Sequence, residues 1–149
     1  MEPARRLFYL VRHAEAERTA GGDDARRRLT AHGRESFGAL ARELGPGLRV
    51  ARVLCSPYAR ARETAEILGT AAGAPVESAA WLAPGRSTGW EILERGRDQG
   101  EVVALVGHNP EMAEAITLGA EGEPQVLPGA LASVEVREGR FHLLWLRVP

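Results

Sequence analysis

Lysine is absent from this chain of 149 residues, and all 19 basic residues are arginine. Schiff-base chemistry and the P-loop of nucleoside triphosphatases both need a lysine side chain, so both are excluded. The single cysteine, Cys55, cannot form a disulfide within the chain, which favours a cytoplasmic protein. No apolar run approaches the roughly 20 residues of a membrane-spanning helix, so no membrane partner is expected.

Neither acidic nor basic residues are in large excess over the other. The 20 acidic and 19 basic residues give a formal net charge of −1, so no overall positive field points to nucleic acid. Any anion site must therefore be local. With 44% hydrophobic and 26% charged residues, the composition predicts one domain over residues 1–149. Residues 1–6 contain no cleavable signal, which also favours the cytoplasm.

Short apolar runs predict four strands, each followed by a helical pattern or a turn. The strands are predicted at residues 7–11, 50–55, 74–78 and 101–106. Two more strands, at residues 132–136 and 141–146, flank a turn and predict a closing β-hairpin. Alternating strands and helices predict an α/β fold, a three-layer sandwich whose mainly parallel central sheet has helices on both faces.

Four helices are expected between these strands. The first has an apolar stripe at residues 37, 40, 41 and 44 and is predicted to end at the Gly-Pro-Gly sequence of residues 45–47. The second is predicted to begin with Ser56 as N-cap and Pro57 as first helical residue, and to end near Ala72. The third spans residues 90–97, and the fourth is predicted to start with Asn109 as cap and Pro110.

Three polar clusters follow the predicted strands: Arg12-His13, residues 56–62 and Gly107-His108. Because ligands bind beyond the carboxyl ends of parallel strands, the clusters predict one shared site. Arginine forks match phosphate oxygens, and helix N-termini add N–H donors. Neighbouring arginines disfavour a protonated histidine, leaving it available as a nucleophile. The site therefore favours phosphoryl transfer through a phosphorylated histidine.

Four ordered motifs carry a resemblance to a known family. They are residues 10–15 (LVRHAE), 29–33 (LTAHG), 55–64 (CSPYARARET) and 106–110 (VGHNP). Together they resemble the histidine phosphatase superfamily, which contains cofactor-dependent phosphoglycerate mutases and acid phosphatases. The short length and the Arg-His-Ala-Glu variant most resemble its SixA branch of phosphohistidine phosphatases.

The resemblance implies a role for each matching residue. His13 is the implied nucleophile, Arg12 and Arg60 are the implied phosphate clamps, and His108 is the second pocket histidine. Arg12, Arg60, His108 and Asn109 are the expected substrate-binding residues. Arg62 lies two residues after Arg60, about 200° round a helix, and should point away from the ligand. No metal or organic cofactor is expected, since no ligand spacing is present and arginines neutralise the phosphate charge.

The chain departs from the family pattern in the segment after the third strand. Mutases and broad phosphatases of the family supply a glutamate general acid there, whereas residues 81–86 (WLAPGR) contain no carboxylate. An alkoxide leaving group needs a positioned acid, which contributes about 10²–10⁴ in rate. A phosphohistidine whose other ring nitrogen is protonated leaves as neutral imidazole without one. The departure therefore favours phosphohistidine on a protein as the substrate.

Several alternatives remain open. The chain could be a phosphatase or mutase acting on a small phosphate ester, or a phosphate-binding module without turnover. Residues 14–28 could form a solvated linker or a flap that touches the substrate. A cysteine phosphatase is disfavoured, because its loop needs an arginine six residues after the cysteine, whereas Arg60 and Arg62 follow Cys55 by five and seven.

Overall fold

A six-stranded sheet forms the centre of the computed structural model, which describes residues 6–18 and 22–149. The strands are β1 (Arg6–Arg12), β2 (Arg52–Cys55), β3 (Val76–Ser78), β4 (Val103–Gly107), β5 (Leu131–Arg137) and β6 (Arg140–Arg147). They are ordered β3-β2-β4-β1-β5-β6. The first four in this order are paired in parallel, and β5 and β6 complete the sheet with antiparallel pairs. The predicted α/β class with a mainly parallel sheet is confirmed.

Four helices cover the two faces of the sheet. They are α1 (Ala31–Leu48), α2 (Ala59–Ala72), α3 (Gly89–Arg97) and α4 (Glu111–Leu118). On β1, Leu10 packs in a core cluster with α3 and α4, whereas Val11 packs in a second cluster with α1 and α2. Successive side chains on a strand point to opposite faces, so one apolar run supplies both cores. The predicted three layers follow from this alternation.

Helix α1 continues beyond its predicted end. The prediction of a stop at residues 45–47 was wrong, because the helix includes Pro46 and ends only at Leu48. A proline near the last turn removes a single N–H donor, while the extension buries Leu48. Gly45 lies against α2 so closely that a Cβ there would be 2.9 Å from the Cβ of Ala71. Tertiary packing therefore overrides the local stop signal.

Helix α2 begins later than predicted. Tyr58 is its N-cap and Ala59 its first residue, so the assignment of Ser56 as cap was wrong. Ser56 is buried, and its hydroxyl accepts a hydrogen bond from the Tyr58 N–H and bonds His108 across the sheet edge. The α4 N-cap is Pro110 and not Asn109. The Asn109 side chain nevertheless satisfies a backbone donor in the first turn of α4, because its Oδ1 accepts a hydrogen bond from the Ala113 N–H.

The connections agree with the predictions in part. Glu138 and Gly139, both with positive φ, form the tight turn of the predicted hairpin. The segment 14–28 is more ordered than a solvated linker, since Ala16 forms a bridge with Leu29 and Asp24–Arg26 is a short 3-10 helix. Residues 19–21 of this segment and the N-terminal residues 1–5 lie outside the described residues. None of the described helices has the length and hydrophobicity to cross a membrane.

Candidate active site

The three polar clusters meet where β1, β4 and β2 end side by side. The His13 N–H donates to the Gly107 carbonyl at 3.0 Å, and the Ser56 N–H donates to the Val106 carbonyl at the same distance. The backbone is thus hydrogen-bonded to β4 for one residue beyond the end of β1 and for one residue beyond the end of β2. The hydrogen bonds place His13 and Ser56 on either side of His108, at the edge that the sequence predicted.

His13 has a defined tautomer. Its Nδ1 lies 2.7 Å from the Ala14 carbonyl oxygen, and a carbonyl only accepts, so Nδ1 carries the ring proton. The lone pair is then on Nε2, which accepts a hydrogen bond of 3.3 Å from the Nε–H of Arg60. Nε2 is therefore the nucleophilic atom available to an incoming phosphorus.

A buried threonine joins the nucleophile to α2. The Thr64 Oγ1 accepts the Ala14 N–H at 3.0 Å and donates to the Arg60 carbonyl at 2.8 Å. The loop carrying His13 is thus fixed to the helix turn that carries Arg60. This hydroxyl sets the relative position of two residues that lie on different elements.

His108 forms the second wall of the site. Its ring centroid is 5.1 Å from that of His13, and its Nε2 hydrogen-bonds the Ser56 hydroxyl at 2.8 Å. Its Nδ1 is buried and has no hydrogen-bond partner among the described residues. Buried polar atoms are normally satisfied, so this nitrogen is suited to a ligand.

Arg12 and Arg60 bring two guanidinium groups to the same edge. Arg12 donates from Nη1 to the Val126 carbonyl at 2.9 Å, while its buried Nε has no partner among the described residues. Arg60 is only 5% exposed and lies over the Tyr58 ring at 5.1 Å. Such oriented donors match the oxygens of a phosphoryl group.

Asp24, which the sequence analysis missed, contacts the outer edge of Arg60. Arg60 donates from Nη1 to the Asp24 carbonyl at 2.7 Å, and its Nη2 lies 3.2 Å from the Asp24 carboxylate. Arg27 bonds the other carboxylate oxygen at 3.0 Å. The Arg27 hydrogen bond, together with Arg60, holds the pKa of Asp24 below its usual value. The site thus contains a carboxylate, supplied by the segment 14–28.

Both histidines are neutral at physiological pH. Burial, followed by the positive charges of Arg60, Arg12 and Arg27, lowers the pKa of His13 from 6.5 to about 4, although the Ala14 carbonyl acts in the opposite direction. Burial also lowers the pKa of His108 to about 3, with His13 and the arginines adding to the effect and Asp24 opposing it. A neutral imidazole among cations is the state in which a histidine attacks phosphorus.

An NMR titration of the imidazole nitrogens checks these pKa values. A lowered pKa means that the neutral ring persists to lower pH, so His13 and His108 should show no protonation between pH 8 and about pH 5. The acid limb of kcat/KM that His13 controls should lie near pH 4. A midpoint close to the ordinary 6.5 for His13 would contradict the burial argument.

The other candidate residues occupy different positions. The Arg62 side chain is half-exposed and pairs with Glu66 at 3.3 Å, whereas Arg60 is buried and contacts His13. Asn109 donates from Nδ2 to the Val126 carbonyl. Cys55 is buried, which raises the pKa of its thiol to about 11 and makes it a poor nucleophile. Within residues 6–18 and 22–149, no three His, Cys, Asp or Glu side chains form a group suited to a metal ion.

The chain is similar to several known proteins. Residues 8–94 match the family model of the histidine phosphatase superfamily, branch 1. An uncharacterized protein from Picosynechococcus sp. is 38% identical over 124 residues, which cover 77% of this chain and 75% of the relative.

Solved structures share the whole architecture. A candidate phosphohistidine phosphatase SixA from Agrobacterium tumefaciens superposes with a TM-score of 0.83 and is 25% identical, over 97% of this chain and 98% of that one. The protein histidine phosphatase SixA in complex with tungstate gives a TM-score of 0.82 and 28% identity, over 96% and 97% of the two chains.

Proposed function

This chain belongs to the histidine phosphatase superfamily, branch 1, and from that premise we propose that it hydrolyses phosphohistidine on a protein through a phospho-His13 intermediate. The coarser assignment, a phosphatase with a SixA-like fold, is supported by the family match and the structural neighbours. The proposal includes a single domain over residues 1–149, a phosphorylated protein as partner and a cytoplasmic location. It requires no cofactor.

In the first step, the phosphoryl group moves from the substrate to His13. The lone pair on Nε2 attacks phosphorus in line with the scissile P–N bond, and the substrate imidazole leaves as a neutral ring. Arg12, Arg60 and His108 bind the equatorial oxygens, and the Nε–H of Arg60 transfers its hydrogen bond from His13 to one of them. The proton stays on Nδ1 and donates to the Ala14 carbonyl oxygen, and this hydrogen bond stabilises the imidazolium that forms.

In the second step, water attacks the phosphorus of phospho-His13. The P–N bond breaks, its electron pair returns to Nε2, and both protons of the water leave with the product phosphate. His13 is thereby restored to its neutral form. A loose transition state of this kind depends mainly on positioning and charge stabilisation, which the two arginines provide.

The observation that carries the proposal is the state of His13. Its half-buried imidazole has the ring proton on Nδ1 and Nε2 beside an arginine. The preference for phosphohistidine is supported by the segment after β3. Residues 81–86 contain no carboxylate, although other members of the family have a glutamate general acid there. Glu111 contacts that segment, but its Oε1 accepts the Gly85 N–H.

A comparison of three substrate types tests the proposal. We expect the highest kcat/KM with a peptide that contains phosphohistidine, a lower value with an aryl phosphate and the lowest with an alkyl phosphate, because only the last needs strong general acid catalysis. His13→Ala is the control for each substrate. A preference for the alkyl phosphate would indicate a small-molecule phosphatase, and vanadate binding without turnover would indicate a binding module.

Replacement of Asp24 tests how Arg60 is held. Asp24→Asn should lower the inhibition constant of inorganic phosphate roughly 3- to 10-fold, because an anion beside the phosphate site is removed. Asp24→Ala should in addition lower kcat a few-fold, because Arg60 loses its carboxylate partner. The matched control is Asp23→Asn, because Asp23 pairs with the exposed Arg26. An equal shift in that control would show that net charge alone is responsible.

A further inference from the structure

A groove of about 650 Å³ lies between α3, α4 and the loop that follows α4. Trp90 on α3 and Leu118 on α4 are among the residues that line it. At 49% and 54% exposure they are the two most exposed large hydrophobic side chains in the described part of the chain. Exposed apolar side chains that line a groove are typical of a site that binds a polypeptide segment.

Two residues that line the groove are close along the chain to residues of the active site. Pro110 lines the groove and follows His108 by two residues along the chain. Pro124 also lines the groove and precedes Val126 by two residues, and the Val126 carbonyl accepts hydrogen bonds from Arg12 and Asn109. The eight residues of α4 extend the groove about 12 Å away from the phosphoryl site. A substrate long enough to leave the active site along α4 would enter the groove.

The charge of the groove is opposite to that of the active site. Of the described residues that line it, the only ionisable ones are Glu114 and Glu123. Glu114 is held in place because its Oε2 accepts the Gly89 N–H at 3.1 Å, whereas Glu123 is exposed. The active site presents arginines to a dianion, while the groove presents carboxylates beside apolar side chains. A matching ligand carries its phosphoryl group at one end and cations among apolar residues at the other.

We propose that the groove docks the polypeptide that carries the phosphohistidine, through an apolar segment that bears lysine or arginine and flanks the phosphorylated residue. The inference rests on the proposed function and names the substrate class for it. A free phosphorylated metabolite would fill only the arginine-lined pocket, whereas a protein substrate would also fill the groove. Docking then lowers KM and leaves the chemical step unchanged.

Synthetic peptides test the inference. One peptide has its phosphohistidine flanked on both sides by leucine and lysine, a second replaces each lysine with glutamate, and free phosphohistidine is the third substrate. We expect kcat/KM for the basic peptide to exceed that for the acidic peptide roughly tenfold, through KM. Leu118→Arg and Glu123→Gln should remove most of this advantage and leave turnover of free phosphohistidine unchanged.

The matched control is Leu144→Arg. Leu144 is also a half-exposed leucine, 45% exposed on β6, and its replacement should leave all three substrates unaffected. Equal kcat/KM for the two peptides in the unmodified protein would overturn the docking proposal, as would equal losses in Leu118→Arg and Leu144→Arg.

Binding of the unphosphorylated peptides separates this inference from the proposed function. Fluorescence of Trp90, identified by its loss in Trp90→Phe, should change with the basic peptide and not with the acidic one. If no phosphohistidine compound is hydrolysed but this binding persists, the proposed function fails and the docking surface stands. If turnover occurs and neither peptide binds, the docking surface fails alone.

Discussion

Replacing His13 with alanine is expected to reduce turnover of every phosphorylated substrate by roughly 10⁴- to 10⁶-fold, which is the loss of rate that removal of a nucleophile causes in other enzymes. The cause is the loss of Nε2, which Arg60 contacts at 3.3 Å. With labelled substrate, the unmodified protein should show an acid-labile and alkali-stable phosphoryl adduct, as a phosphorus–nitrogen bond requires. The adduct should be absent from His13→Ala.

His32 provides the control for this experiment. It is exposed on α1, and His32→Ala should keep both activity and adduct. Label retained in His13→Ala, or label found on Cys55, would show that the nucleophile has been assigned to the wrong residue. Circular dichroism of each variant checks that the fold is intact.

Replacing Arg60 with alanine should lower kcat by roughly 10²- to 10³-fold, by analogy with other oriented donors that stabilise a developing charge. Arg62→Ala is the matched control, since it removes the same side chain two residues further along α2. Arg62 is 49% exposed and paired with Glu66, and exposed pairs of this kind contribute roughly 1 kcal/mol or less. The second substitution should therefore change kcat several-fold at most.

The kinetic pattern distinguishes the role of Arg60 in more detail. If Arg60 acts mainly on the pentacoordinate phosphorus, its removal lowers kcat and kcat/KM together, whereas loss of ground-state binding would only raise KM. A larger loss in Arg62→Ala, in a protein that is still folded, would mean that the phosphate clamp has been assigned to the wrong arginine.

Sequence reasoning could predict that the three polar clusters meet, because that prediction rests on geometry that parallel sheets share. His13, Ser56 and His108 are far apart along the chain, yet each directly follows a buried strand. Since β1, β2 and β4 are parallel, their carboxyl ends share one edge. The roles of individual residues at that edge stay predictions that the substitutions above address.

Other features depend on contacts that have no local signal. Ser56 and Pro57 form a sequence typical of a helix start, but the serine hydroxyl bonds His108, which lies 52 residues away. Asp24 belongs to a run of charges with the pattern of a solvated loop, and its contact with Arg60 spans 36 residues. Nothing in the neighbouring sequence distinguishes this aspartate from Asp23, so only the folded chain separates them.

Two buried nitrogens of the site, Arg12 Nε and His108 Nδ1, have no hydrogen-bond partner among the described residues, and this has a thermodynamic consequence for the whole protein. A buried polar group without a partner lowers the free energy of unfolding by about 1–3 kcal/mol, so the site is maintained at the expense of stability. A bound oxyanion restores the missing partners and stabilises the folded state in proportion to the logarithm of its concentration. The melting temperature of this protein therefore depends on the buffer. It should be higher in phosphate buffer, because phosphate binds as a ligand.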